Sequence, residues 1–544
     1  MRRLALAGLM VCVAAPAALA QTSAPFIIDR NRIDRAPPAE ATPPAPIPAA
    51  PAAAVETDVS AFVLSSVTLT GTSLPPDVLD SLIKPYIGKT MDRAALTDLA
   101  NAVSGAYGAR SDIALYTVTV PAQDFAGGAL RLDVTEGYIA HVDLAGTTAG
   151  DVGLITRYAE HLTAERPLRR STLQRYLSLM RDIPGLTVDA KLLRGSAAGA
   201  VRLLLTLQQK DYGVKLQLND MGNSILGRYQ GAVDVSLYGV LREGEETRLS
   251  FGSSTIFSRY QYYGLMDSEP LDDNGTTAQA AFGYLRTDIG RLGFSGNAKT
   301  YQLLISHSLI RSFGENLILG GDLDGIDTDN ALLGLVLSNE RTRTLRLTAS
   351  YNRTDPKWAL AASANLSQGL DGLGARIAQP GISDPGFDKL VLSAGYNRLL
   401  TEDWVVRVKA ASQLAFSALP VSELYALGGG NFGRAFAMDS ALGDTAAAVS
   451  LEIGWQPKAL PALLKGSELF AFGDEGSSWY RRRVIAPGTI LPQNYHLASA
   501  GAGIRLPLGG KTRLEFAAAN AVQDDRPASS AGHWRLLFGV TSAF

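Results

Sequence analysis

Two kinds of hydrophobic spacing divide the chain near residue 210. Before that point, apolar positions recur every three or four residues between short alternating runs. After it, alternation alone remains. Residues 62–71 read as a strand that ends at Gly71. Residues 79–87 and 94–107 read as helices, with Leu96, Leu99, Ala100 and Val103 on one face of the second. Residues 113–120 and 129–134 read as strands. The order β-α-α-β-β then repeats, with a strand at 139–144, helices at 153–161 and 171–181, and strands at 186–193 and 200–208. Two tandem copies of one α+β unit, 61–137 and 138–210, point to a modular arm.

From 211 to 544 the pattern has a period of two. Arg248 and Ser250 alternate with Leu249 and Phe251. Arg346, Thr348 and Ser350 alternate with Leu345, Leu347, Ala349 and Tyr351. The same holds for Arg407 and Lys409 against Val406, Val408 and Ala410, and for Arg513 and Glu515 against Leu514, Phe516 and Ala518. In a soluble sandwich the charged face would meet outside water; in a membrane barrel it lines a wet lumen while the apolar face meets lipid. About 16 segments of ~9–11 residues match the length a tilted strand needs to cross hydrocarbon. An even number closes an antiparallel barrel without leaving an edge. In the last segment Trp534, Leu536, Phe538, Val540 and Phe544 share one parity, and Arg535, Leu537, Gly539 and Thr541 the other. Phe544 at the end of such a strand resembles an outer-membrane insertion signal.

The first 60 residues carry an address and a spacer. A basic head, Met1-Arg2-Arg3, precedes an apolar run over 4–15 and the small-x-small site Ala18-Leu19-Ala20. Residues 1–20 therefore read as a secretory signal peptide cleaved before Gln21. The one cysteine, Cys12, falls inside it. The mature chain then has no thiol, which excludes disulfides, thiolate metal sites and cysteine nucleophiles. Within 21–35, the stretch 26–35 has the spacing of a short amphipathic helix. Residues 36–60 are rich in Pro and Ala and form a semi-rigid extended spacer. Composition narrows the class further. Hydrophobic residues make up 46% and charged residues 19%, which excludes a largely disordered chain. No second run approaches ~20 apolar residues, which excludes a helical membrane protein. With 50 basic and 52 acidic residues the net charge is −2, and no basic excess points to nucleic acid.

Several local motifs carry a resemblance. Tyr86-Ile87-Gly88-Lys89, Tyr107-Gly108, Val120-Pro121-Ala122-Gln123-Asp124, Gly128-Ala129-Leu130-Arg131-Leu132 and Thr135-Glu136-Gly137 follow one another in order. Together they resemble the first POTRA domain of the two-partner secretion transporters. This is the TpsB family of ShlB/FhaC/HecB-like haemolysin secretion/activation proteins. Where that family has Arg-Gly-Tyr, this chain has Arg110-Ser111-Asp112, read as a loop variation. Asp220-Met221-Gly222-Asn223-Ser224 and Gly227-Arg228-Tyr229-Gln230 resemble the family's first barrel hairpin. Across 274–388 only alternation is seen. The resemblance implies two periplasmic α+β POTRA domains followed by a 16-stranded antiparallel transmembrane β-barrel, 211–544, in the outer membrane.

The resemblance also implies a site. Between the eleventh and twelfth segments, Gly428-Gly429-Gly430-Asn431-Phe432-Gly433-Arg434-Ala435-Phe436 resembles the family's long pore loop, whose tip reads Val-Arg-Gly-Tyr/Phe. Arg434 matches the arginine and Phe436 the aromatic, while Gly433 and Ala435 replace the usual valine and glycine. Alanine disfavours the positive φ that glycine allows, so the tip conformation is expected to differ. Phe472-Gly473-Asp474 resembles the Phe-x-Asp strand of the barrel wall. An arginine inside a barrel keeps its charge and needs a carboxylate close by. A bidentate Arg434–Asp474 pair would pin the loop and orient it. From spacing alone, both would read as ordinary loop and lumen residues.

Catalytic patterns fail. Gly509-Gly510-Lys511-Thr512 lacks the first glycine of a phosphate loop and reads as a strand turn. Gly293-Phe294-Ser295-Gly296-Asn297 misses the nucleophile elbow at its last position. His141, His161, His307, His496 and His533 have no ligand spacing. Asp322, Asp324, Asp327 and Asp329 lack the glycine and distal glutamate of a calcium loop and read as an extracellular or lumen surface. No enzyme activity, cofactor or metal is expected. The expected function is export of an unfolded, TpsA-like β-helical exoprotein without ATP, by a barrel set in outer-membrane lipid and acting as a monomer. The 21–35 helix would plug the pore. Two alternatives remain. A barrel-assembly factor would call for more than two POTRA units, and an outer-membrane hydrolase would need a nucleophile–base pair.

Overall fold

The structure, a computed structural model, describes residues 54–55, 61–147, 152–222, 226–290, 293–332, 335–377, 383–430, 432–461, 464–481, 484–486, 489–490, 494–526 and 529–544. The expected signal peptide, the 21–35 helix and the spacer apart from Ala54 and Val55 lie outside the described residues. The chain divides at Lys210 and Asp211 into two compact units.

The first unit holds both α+β copies. In the first copy, β1 (Ser66–Thr70) is followed by α1 (Pro76–Ile83), α2 (Arg93–Arg110), β2 (Tyr116–Val120) and β3 (Ala129–Glu136). β3 lies between the other two, parallel to β1 and antiparallel to β2. The side chain of Asp92 accepts the Ala95 N–H at 2.8 Å and starts α2. Leu96, Leu99, Ala100, Val103 and Tyr107, three or four apart, then bury one face of α2 against Leu130, Leu132 and Val134 of β3. Each fully buried leucine contributes roughly 1.5–3 kcal/mol. α1 starts and ends earlier than its periodicity predicts. Pro76 fits the first turn, where its missing N–H costs nothing. Pro85 has no N–H for the carbonyl of Ser81, so the helix stops ahead of it. The stretch 62–71 is also not one strand: Phe62–Val63 turns aside to pair with Thr90–Met91. Ala54–Val55, from the Pro/Ala stretch, pairs in parallel with the outer edge of β2.

The second copy repeats the order as β4 (Tyr138–Thr147), α3 (Gly153–Ala164), α4 (Arg170–Asp182), β5 (Leu186–Arg194) and β6 (Ala200–Gln209). β6 is central, parallel to β4 and antiparallel to β5. Leu203, Leu205 and Leu207 share one parity and meet Leu154, Tyr158, Leu173 and Leu177 of the helices. The departure at Arg110-Ser111-Asp112 has a structural use. The Asp112 carboxylate accepts the Ser171 N–H at 3.1 Å, while α4 has no side-chain cap of its own. The Asp112 carbonyl accepts the Arg170 N–H, and Ala114 donates to Leu168 at 2.9 Å. These bonds join the two copies.

In the second unit sixteen strands of the described residues close into an antiparallel barrel. The first, Tyr212–Asn219, pairs with the sixteenth, Trp534–Ala543, from Lys215↔Ala543 to Asn219↔Gly539. The charged faces point inward. Arg346 is 3% exposed, whereas its neighbours Leu345 and Leu347 are 46% and 59% exposed. A soluble sandwich would show the reverse, so this wall is built for lipid outside and polar groups within. The sixth, seventh and eighth strands, Phe294–Arg311, Glu315–Leu332 and Leu335–Asp355, have 18, 18 and 21 residues. They exceed the ~9–11 residues needed to span hydrocarbon, so part of this wall stands clear of it. Among the described residues no helix is long and apolar enough to cross a membrane.

Candidate functional site

Residues 416–444 connect the eleventh strand, Trp404–Ala415, to the twelfth, Thr445–Trp455. This loop folds into the lumen. Its two ends are tied by Asp444, fully buried, which accepts the Leu419 N–H and the Arg481 N–H, each at 2.8 Å. A short ladder, Tyr425–Leu427 with Ala441–Gly443, carries the chain inward. At the tip the Phe436 N–H donates to the Gly433 carbonyl at 2.9 Å, which turns the backbone and leaves Arg434 at the corner. The left-handed residue of this turn is Gly433, with φ +89°. Ala435 is not among the positive-φ residues. Exchanging valine for glycine at 433 and glycine for alanine at 435 therefore leaves the glycine where the backbone requires one. Phe436 is 1% exposed and packs with Leu427, Ala441, Ala448, Leu497 and Ala521. The Arg526 guanidinium lies 5.2 Å from its ring.

The structure brings Arg434 and Asp474 together. Asp474 sits on the thirteenth strand, Glu468–Trp479. Arg434 Nε donates to Asp474 Oδ2 at 2.9 Å and Nη2 to Oδ1 at 2.8 Å, a bidentate fork. The Arg434 backbone N–H donates to Oδ2 at 3.1 Å, so the carboxylate holds both ends of the residue. Ser499 Oγ donates to Oδ2 at 3.1 Å. The guanidinium carbon stands 3.5 Å from the centre of the Phe472 ring. Phe472 and Asp474 share one parity and point inward together. Gly501, opposite Phe472, makes room for that ring: a Cβ there would lie 2.6 Å from Phe472 Cζ and 2.1 Å from the Ala518 carbonyl oxygen.

Further carboxylates and cations surround the pair. Arg434 Nη1 donates to Glu452 Oε2 at 2.9 Å and Nη2 to Ser450 Oγ at 3.0 Å. Glu452 also receives Arg407 at 2.9 Å and Arg505 at 2.6 Å, and Glu468 receives the same two arginines at 2.6 Å each. Arg505 stacks on Phe470 at 3.9 Å and donates to Glu515 at 2.9 Å. Removing one partner from such a buried set costs ~3–5 kcal/mol, because the other charge is left without compensation.

A second ionic contact, near the start of the loop, is not visible to motif reading. Glu423 ends a single helical turn, Val421–Glu423. Its carboxylate receives Arg346 Nη2 at 2.8 Å and Nη1 at 3.1 Å, and Lys389 Nζ at 2.6 Å. Lys389 Nζ and Gln413 Nε2 donate to the Glu423 carbonyl at 2.9 and 3.1 Å. Arg346 is also bonded to the Asp324 carboxylate and to Ser367 Oγ at 2.9 Å. Of the acid run, Asp322 and Asp324 are buried, on the lumen side of the seventh strand. Its signals in the sequence are the alternation around Arg346 and the acid run that contains Asp324. Phe544 is half exposed; its N–H donates to the Val214 carbonyl at 2.9 Å, and Lys511 lies 5.6 Å from its ring.

Comparison with known proteins bears on the whole chain. A family model described as haemolysin secretion/activation protein ShlB/FhaC/HecB matches residues 199–506, and one described as POTRA domain, ShlB-type, matches 62–137. The heme/hemopexin transporter protein HuxB of Haemophilus influenzae is 23% identical over 305 residues, which cover 54% of this chain and 50% of that protein. The outer membrane transporter CdiB of Dickeya dadantii is 23% identical over 379 residues, 66% of each chain. The match thus spans about half the length of HuxB. The solved structure of CdiB from Escherichia coli superposes with a TM-score of 0.67 at 19% identity, covering 92% of this chain and 94% of that one. At that identity the likeness is one of fold.

Proposed function

The chain belongs to the haemolysin secretion/activation protein family ShlB/FhaC/HecB, and on that membership we propose that it is the translocation pore for a secreted partner protein. The family's members are outer-membrane β-barrel transporters whose POTRA domains stand in the periplasm, and this chain has both parts. In the proposed cycle the POTRA units receive the partner unfolded, by offering a strand edge or the groove beside a helix. The partner passes through the lumen as an extended chain once the 416–444 loop yields. No nucleotide is used. Folding outside the cell, into a β-helix that grows one rung at a time, draws the chain through. The 21–35 helix serves as a removable plug and the Pro/Ala spacer gives it reach. Phe544 belongs to the signal for insertion, and the barrel works as a monomer.

The observation that supports this reading best is the loop in the lumen. A closed wall holds this segment by buried ionic contacts beside the apolar seat of Phe436, and Arg434 is the centre of those contacts. The test compares secreted and outer-membrane proteins with and without this chain. Loss of one large secreted protein, with outer-membrane barrels unchanged, is the expected result. A broad fall in those barrels would mean an assembly factor instead.

A further inference from the structure

The lumen loop is held at two places, and the two have opposite polarity. At the tip a cation of the loop, Arg434, enters carboxylates of the wall. Near the base a carboxylate of the loop, Glu423, enters cations of the wall, Arg346 and Lys389. The base site draws on five successive strands. Asp324 comes from the seventh, Arg346 from the eighth, Ser367 from the ninth (Trp358–Gly369), Lys389 from the tenth (Asp388–Leu399) and Gln413 from the eleventh. Glu423 is 1% exposed there. A loop that slid along the wall would set Glu423 beside carboxylates or Arg434 beside cations, and like charges in a low-dielectric site repel strongly.

Besides Glu423, Arg346 has partners on the wall, the Asp324 carboxylate and Ser367 Oγ. Asp322 stands 3.9 Å from the same guanidinium. Without the loop Arg346 would still meet Asp324 and Asp322, and Lys389 would keep Gln413 Oε1 at 3.3 Å.

We propose that Glu423 is a positioning residue for translocation: its clamp on Arg346 and Lys389 fixes the base of the loop, delivers Arg434 to Asp474, and must open together with the tip before the loop leaves the lumen. This rests on the reading of the chain as a translocation pore.

The test uses the full chain in the outer membrane with Cys12→Ser, which removes the one native cysteine, and Ala435→Cys as a reporter beside the tip. The measurements are the rate of labelling by a membrane-impermeant maleimide added to cells, and heat-modifiable gel mobility as the sign of a closed barrel. Glu423→Gln keeps the shape and removes the charge; labelling should rise by about tenfold or more with mobility unchanged. Glu423→Asp should return the rate part of the way toward the parent, which a shape effect would not do. Should Glu423→Gln lose the closed form, Lys389→Gln carries the same test, since it leaves Arg346 and Asp324 paired. Parent-like labelling in these variants, alongside fast labelling in Arg434→Ala, would overturn the clamp and leave the pore reading standing. Parent-like labelling and full export in Arg434→Ala itself would overturn the gating role of the loop, and an unchanged set of secreted proteins on removal of the whole chain would overturn the pore reading.

Discussion

At the scale of single residues, the pore loop turns on what a guanidinium can do that an ammonium cannot. Arg434 spends Nε and Nη2 on Asp474, Nη1 on Glu452, and its flat face on Phe472. A lysine offers one point charge and no plane. Arg434→Lys should therefore fall close to Arg434→Ala in export of the partner, with both barrels closed by heat-modifiable mobility; lysine exporting at the parent rate would assign the residue a charge role alone. Part of this was legible before the structure. Phe472 and Asp474 are two apart, so a strand puts them on one face. Glu452, Arg505 and Glu423 were not legible. Each reaches its partner across strands or from a loop, and pairing register is set by the closed sheet rather than by neighbours in sequence. Arg346 and Asp324 lie where only alternation could be read, and alternation gives the face of a residue but not its partner.

At the scale of elements, helix periodicity and strand alternation located both α+β copies to within a few residues. They missed where proline and a capping aspartate decide the ends, as in α1 and α2. One polar cluster ties these elements. The Tyr107 hydroxyl of α2 meets Thr72 Oγ1 at 2.5 Å and donates to Glu136 Oε1 at 2.8 Å. Burial pushes this phenol above its usual value, the Thr72 bond pulls it down, and Glu136 pushes it up again. Its folded value is thus above its unfolded one. The stability it supplies is complete below about pH 10 and is lost as pH rises through the raised folded value. Tyr107→Phe should cost ~1 kcal/mol at pH 8. It should also flatten the fall of stability as pH rises above about 10, the ordinary tyrosine value. Helical circular dichroism during urea unfolding reads this unit, because α1–α4 all lie in it. An equal fall in parent and variant would place the alkaline sensitivity elsewhere.

At the scale of the whole molecule, the barrel inverts the usual arrangement, with leucines outside and ion pairs inside. Composition could not show this, since the same alternation fits a sandwich; only exposure decides it. One strand makes the test compact. Leu347 is 59% exposed on the outer face, one residue from Arg346 on the inner face. Leu347→Arg should cost ~2–4 kcal/mol near the bilayer midplane, read as loss of heat-modifiable barrel from the outer membrane. Leu347→Ile should be almost silent. An arginine tolerated at 347 would mean that this part of the long eighth strand stands above the lipid.

The braced charges around the loop tip have an electrical consequence. When Arg434 leaves, Glu452, Glu468, Asp474 and Glu515 remain with Arg407, Lys409 and Arg505, four carboxylates against three cations. That section of the lumen then carries a fixed negative excess, and carboxylates lining a channel favour cations. Arg434→Ala channels in a planar bilayer should shift their reversal potential in a potassium chloride gradient toward the potassium side, and Asp474→Asn added to them should move it back. The residue that holds the loop would then also set which small ions leak through while a protein is in transit.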